Sequence, residues 1–176
     1  FVRIELSGPG RILHLAEVWV VEDGQNVAPA GAASQSTTFG ESAATRAIDG
    51  GVHGSHAAGS VSHTAEGSDP WWELDLGRDV AVDQVTVFNR TDCCGERLEG
   101  FRLALLDSAR KVVWEAVRIP APKPRYDVAP FGATIVTPPP TLAEKRNLQP
   151  AIDKALDRGV AYLRSTQLID GSWSQH

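Results

Sequence analysis

Short runs of alternating apolar and polar residues, cut apart by turn residues, constrain this chain most. Residues 71–76 alternate strictly, with Trp72, Leu74 and Leu76 on one side and Glu73 and Asp75 on the other. A period of two with one apolar side is a half-buried antiparallel strand. Residues 1–6 alternate in the same way and stop at Ser7-Gly8-Pro9-Gly10. Strands are also expected over 12–21, 80–89, 101–106, 111–117 and 126–136. Residues 23–41 are polar and small and read as loop, with a short strand near 32–36. Residues 42–48 predict a single helical turn. Many short strands punctuated by turns predict an all-β, antiparallel β-sandwich.

Composition narrows the partners. The 176 residues carry a formal net charge of −5. That argues against nucleic acid and against docking on an anionic membrane. No stretch approaches the ~20 apolar residues of a membrane span, and no pair of exposed aromatic spikes suggests membrane insertion. The chain opens at Phe1 without a leader, which reads as a fragment or a processed product.

One loop concentrates the chemistry. Residues 90–97 read Arg-Thr-Asp-Cys-Cys-Gly-Glu-Arg and hold the only two cysteines of the chain. Each arginine presents a rigid, permanently charged fork of donors, and Asp92 between them can hold one guanidinium in place. Adjacent Cα atoms lie ~3.8 Å apart, closer than ordinary disulfides want. Two reduced thiols in a turn and a strained Cys93–Cys94 bridge therefore both stand. His53 and His56 suggest zinc by composition, but no third ligand has suitable spacing, so both read as loop histidines. Trp71 is either a platform for a sugar ring or, the preferred reading, packed beneath the loop. Glu17, among apolar neighbours, is either an edge acid or a ligand.

These strings resemble the F-type lectins, the fucolectins. His63, then Arg90, Asp92 and Arg97, follow that family's His…Arg-x-Asp-x4-Arg spacing, and NRTDCCGER at 89–97 is similar to its loop nearly residue for residue. DPWWELDL at 69–76 resembles its Pro-Trp-Trp strand, and RAIDG at 46–50 its calcium turn. The resemblance implies a discoidin-like, galactose-binding-like jelly roll. It implies a non-catalytic, calcium-dependent module for L-fucose or a similar sugar on glycans. His63, Arg90 and Arg97 would donate to the sugar, a bonded Cys93–Cys94 pair would lean on its apolar edge, and Asp92 would orient an arginine. Calcium would take the Glu17 and Asp49 carboxylates, Ser60, and the main-chain oxygens of Ala16, Arg46 and Gly51. The loop before His63 offers only small residues and histidines, with Phe39 the nearest aromatic, so sugars sharing fucose's hydroxyl arrangement are expected to fit too. An oxidised pair implies an extracellular, cell-surface or periplasmic setting, and a single small site implies multivalency.

RILHLAEVWV at 11–20 resembles the last strand of that family, yet it comes first here. Circular permutation is preferred to the tail of a tandem copy. The domain is expected over 1–136, a proline-rich linker over 137–149 and a helical segment over 150–176. Ile152, Leu156, Val160 and Leu163 have helical spacing, and Gln167, Gly171 and Trp173 resemble the start of a QW repeat of triterpene cyclases. One repeat cannot bury its own face, so the parent protein is expected to continue past His176. The alternatives are a degenerate interaction or adhesion domain, and an accessory part of a terpene-cyclase-like enzyme.

Overall fold

The computed structural model describes residues 1–130 and 134–135. Along the chain run β1 (Val2–Glu5), β2 (His14–Leu15), β3 (Glu17–Glu22), β4 (Gln25–Asn26) and β5 (Ala32–Gln35). Then come β6 (Ser62–His63), β7 (Trp71–Asp75), β8 (Val80–Ala81) and β9 (Gln84–Phe88). β10 (Phe101–Leu106), β11 (Val112–Ile119), β12 (Arg125–Val128) and β13 (Thr134–Ile135) complete the series. Helical structure among the described residues is limited to 3-10 turns at Ala28–Ala30, Ala44–Ala47 and Gly95–Leu98. None is long and apolar enough to cross a membrane.

All the pairings are antiparallel. One sheet has the order β11-β10-β1-β7-β5, a second β12-β9-β3-β4, and β13-β8 and β2-β6 form small pairs. The alternation read from the sequence decides which side chains meet. Ile4 lies between Leu103 and Trp72, and Val2 between Leu105 and Leu74, all fully buried. Val18 and Val20 of β3 stand opposite Val87 and Val85 of β9, also fully buried. Both large sheets feed one cluster, which makes the fold a sandwich with a common core. Burying a Val, Leu or Ile contributes roughly 1.5–3 kcal/mol each, so this interior fixes the register of every strand that carries the site.

The first segment is built into the sandwich. β1 is an interior strand, flanked by β10 and β7. The single strand expected over 12–21 is two strands, because the chain changes partner at Ala16. His14 and Leu15 pair with β6, whereas 17–21 pair with β9. Residues 13–18 are all fully buried, so Glu17 is not an edge acid. β3 and β4 form a hairpin that the loop reading of 23–41 overlooked. Its two-residue turn is Asp23-Gly24, with both φ angles positive at 50° and 75°. Asp-Gly tolerates that conformation, and its twist suits the flanking strands.

Other readings also shift. Glu73 faces away from the core, yet is only 6% exposed because Arg3 and Arg110 close over it. Trp71 is not beneath the 90–97 loop. It lies on the outer face of β7 with the Arg3 guanidinium 4.6 Å above its ring. His63 sits on β6 and is only 5% exposed. The described residues all fall in one unit. The 137–149 linker, the 150–176 helical segment and the QW-like Gln167 and Trp173 lie outside the described residues.

Candidate functional site

The 90–97 segment begins where β9 leaves the sheet, and one buried amide shapes it. Asn89, 1% exposed, donates through Nδ2 to Gly95 O (2.9 Å) and Pro122 O (3.1 Å), and its Oδ1 accepts from Arg90 N (2.8 Å). A buried amide with both ends paired is costly to lose, so Asn89 fixes both ends of the turn. Arg97 rides on the 3-10 turn Gly95–Leu98, which is anchored in the core by fully buried Leu98. Arg11 braces the turn from outside, donating through Nη2 to Glu99 O (2.9 Å) and Arg97 O (3.3 Å).

A second loop is stitched to the first. Thr91 N donates to Gly54 O at 2.8 Å, and Thr91 Oγ1 to His53 O at 2.7 Å. At Gly54, φ is +67° and a Cβ would lie 2.7 Å from Asn89 O, so only glycine fits. Asp92 ties the two loops together. Its Oδ1 accepts from Arg90 Nε at 2.5 Å, and its Oδ2 from His56 N at 2.9 Å. The Arg90 hydrogen bond is the main reason the Asp92 carboxyl is held down at about 2.

His63 enters from β6 with a defined polarity. Its Nδ1 lies 2.7 Å from Thr64 O. A carbonyl only accepts, so Nδ1 carries the hydrogen and Nε2 of the neutral ring is left as an acceptor. Burial, and then the nearby His56, Arg90 and Arg97, lower its pKa, while the Thr64 bond opposes them. The sequence reading made His63 a third donor; the structure makes it the acceptor beside two donors.

His63, Arg90, Cys93, Cys94 and Arg97 line one open depression of about 460 Å3. Asp92 does not line it and lies behind Arg90. Cys93 and Cys94 are bonded to each other, with Cys94 in the left-handed region at φ 61°. Sequence reasoning missed Ile12, Thr64 and Glu66 on the rim, where His56, read as a loop histidine, also stands. Phe39 is there too, 53% exposed, with its ring 5.1 Å from that of His63 and its N–H donating to His63 O at 2.9 Å. The hydrophobic pattern gives no sign of an exposed phenylalanine turned toward a site. His14 was also missed. It is fully buried, its ring is 5.7 Å from that of His63, and neither nitrogen has a partner among the described residues. Burial first, then His63, Arg90 and Arg97, push it down to about 3.

A second cluster gathers at the other end of the loop that begins at Asp49. Glu17 Oε1 accepts from Gly50 N at 3.1 Å, while its Oε2 is buried with no partner. Asp49 Oδ1 accepts from Gly51 N at 2.8 Å, and Ser60 Oγ donates to Gly51 O at 3.0 Å. A Cβ at Gly51 would lie 2.8 Å from Asp49 Oδ1 and 3.3 Å from Ser60 Oγ, so Glu17, Asp49, Gly51 and Ser60 converge tightly. Ala16 is buried next to Glu17, and Arg46 lies in the turn Ala44–Ala47 just before Asp49. Burial, with the Asp49 charge nearby, pushes Glu17 up to about 7. An orphaned carboxylate oxygen among hard oxygen donors suits calcium. Among the described residues no three His, Cys, Asp or Glu side chains are placed so that they could hold a metal ion by themselves, so a cation here would draw on carbonyl and hydroxyl oxygens as well.

A two-sheet antiparallel sandwich that carries a polar, loop-built depression at one end belongs to the galactose-binding-like class. Residues 46–130 match the family described as NedA-like, galactose-binding domain. Fucolectin-4 of Anguilla japonica is 44% identical over 100 residues, which is 54% of this chain and 54% of that protein. A pentraxin fusion protein of Xenopus laevis is 36% identical over 88 residues, 49% of this chain and 21% of that protein. The chain thus spans about half the length of the fucolectin. Among solved structures, the lectin domain of lectinolysin complexed with Lewis B antigen superposes with a TM-score of 0.61 and 34% identity, covering 65% of this chain and 82% of that one. A Streptococcus pneumoniae fucose binding module gives 0.61 at 30% identity, over 65% and 82%. The chain belongs to the F-type lectin, or fucolectin, family of non-catalytic lectins and fucose-binding modules.

Proposed function

We propose that this domain is a non-catalytic carbohydrate-binding module for L-fucose, or a sugar with the same hydroxyl arrangement, at the end of a glycan. The observation that carries this reading is the meeting of Arg90, Arg97, His63 and the bonded Cys93–Cys94 pair in one depression. Sugar hydroxyls both donate and accept. Two guanidinium forks give to hydroxyl and ring oxygens, and His63 Nε2 takes a hydroxyl hydrogen. The disulfide offers a flat apolar surface to a C–H face. Phe39 answers the methyl group that distinguishes fucose, since its exposed ring closes the His63 side of the rim.

Calcium belongs to the same reading. The Glu17 and Asp49 carboxylates, Ser60, and the carbonyls of Ala16, Arg46 and Gly51 would hold it. It would supply charge that neutralises two neighbouring carboxylates and rigidity to the 49–60 loop. The binding groups would feel that rigidity through the chain itself: Gly54 O and His56 N of this loop bond Thr91 and Asp92, and Asp92 holds Arg90. The bond between adjacent cysteines supports an oxidising setting, outside the cell, on its surface or in a periplasm. One open site binds weakly, so useful strength would come from several copies acting together.

Titration calorimetry with L-fucose tests this reading, with calcium and after chelation. Saturable binding that Arg97→Ala weakens by up to about a hundredfold, with melting unchanged, is the expected result, since about 3 kcal/mol is the upper range for an unpaired polar partner. Normal binding by that variant would remove the arginine pair from the account.

A further inference from the structure

The bonded cysteines are a ridge with a depression on each side. On the side away from His63 lies a larger one of about 570 Å3, which shares Arg90, Cys93 and Cys94 with the first. Its far wall is the segment carrying Ala121, Pro122 and Pro124, and Glu96 and Lys123 stand at its edge.

This second groove has walls held at a fixed separation. The Asn89 amide reaches Gly95 O on one wall and Pro122 O on the other, and Asn89 N donates to Pro124 O at 2.8 Å. Glu99 Oε2 accepts from Ala121 N at 2.8 Å. The edge groups, by contrast, are uncommitted. Neither the Glu96 carboxylate nor the Lys123 ammonium has a hydrogen bond or ion pair among the described residues, and both residues are exposed. Proline, alanine and disulfide walls with one free acceptor and one free donor at the rim suit a pyranose ring, which is apolar on its faces and polar around its edge.

We propose that this groove is a second saccharide subsite, occupied by the neighbouring sugar of a glycan whose terminal residue lies against His63, Arg90 and Arg97. This rests on the carbohydrate-binding reading above. A sugar is the occupant that continuity favours: the two depressions meet across the disulfide and share Arg90, so one chain of linked rings can lie over both. The ridge then packs against two rings, one on each side. The groove contains no aromatic ring in its lining, so it adds selectivity among glycans rather than a strong anchor.

The test compares methyl α-L-fucoside with a Lewis b oligosaccharide on the full chain by calorimetry. The oligosaccharide is expected to bind about tenfold more tightly, and Glu96→Ala with Lys123→Ala to remove most of that advantage, leaving the fucoside affinity unchanged. In the unaltered protein, the backbone amide signals of Ala121 and Lys123 should shift with the oligosaccharide and stay still with the fucoside. Equal affinity for both ligands overturns the subsite and leaves the primary site standing. So does an advantage that survives the double substitution while the two amide signals remain still. Failure of the fucoside itself to bind overturns the underlying carbohydrate-binding reading, and the subsite falls with it.

Discussion

Replacing Glu17 with glutamine should make the calcium-free domain more stable and the calcium-loaded domain less so. Glu17 is fully buried, and its carboxyl is pushed up from 4.5 to about 7. A folded-state value above the unfolded one gives stability that is complete below pH 4.5 and is lost as the pH rises through 7. At pH 7 the loss integrates to about 3 kcal/mol, from 1.36 kcal/mol for each unit between the two values. Glutamine is neutral at every pH and keeps an oxygen to accept from Gly50 N. Without a cation, Glu17→Gln should therefore match the wild type near pH 4. At pH 7 to 8 it should exceed it by up to about 3 kcal/mol, or about 10 °C in melting temperature for a domain of this size. Calcium should reverse the order, because a ligand bound only by the folded state stabilises it and the variant has lost a charged ligand. Thermal melting from pH 4.5 to 8, in chelator and in millimolar calcium, reads both effects. A variant less stable than wild type at pH 8 in chelator would refute the burial argument. Equal calcium stabilisation of both proteins would remove Glu17 from the cation site.

Three further outcomes follow from the geometry. Arg11→Met removes the brace on the Arg97 turn and should weaken fucose binding about fivefold, as expected for losing about 1 kcal/mol of hydrogen bonding, with calorimetry as the readout. Fucose affinity should be level from pH 8 to 6.5 and fall at lower pH, because a proton on His63 Nε2 removes the acceptor. Asp92, held at about 2, stays ionised throughout, so a fall that tracks Asp92 instead would contradict the assignment. His14 contributes stability that is present above its unfolded value near 6.5 and lost as the pH falls toward about 3. His14→Phe should flatten the acid limb of a urea-denaturation series over that range.

Strand existence was legible because period-two alternation is written by the core itself. Trp72, Leu74, Ile4 and Leu103 behave as their spacing demands. The Asp23-Gly24 hairpin was overlooked, because its short flanking strand, Gln25–Asn26, has no apolar residue to announce it. The break at Ala16 was hidden, since a strand that changes partners while buried on both faces, as residues 13–18 are, shows no change of period where the partner changes. The two clusters were found through their resemblance to the motifs of a known family, which says nothing about direction. That His63 Nε2 is an acceptor depends on where Thr64 O lies. That Asp92 sits behind Arg90 rather than in the depression depends on its bond to His56 N. Phe39, Arg11 and Asn89 carry no spacing signal: each owes its place to contacts far along the chain.

The grip and the rim belong to separate parts of the chain. Arg90, Asp92 and Arg97 are locked by Asn89, Gly54 and Arg11. Phe39, in contrast, sits on a segment bonded to β6, through Phe39 N to His63 O and His63 N to Ser42 O, and residues 38–41 make no hydrogen bond to the 90–97 loop among the described residues. Residues around Phe39 can therefore be exchanged without disturbing the charged groups. For an evolving lineage, or for a library randomised over 38–41, selectivity can drift from one sugar to another through intermediates that all still bind.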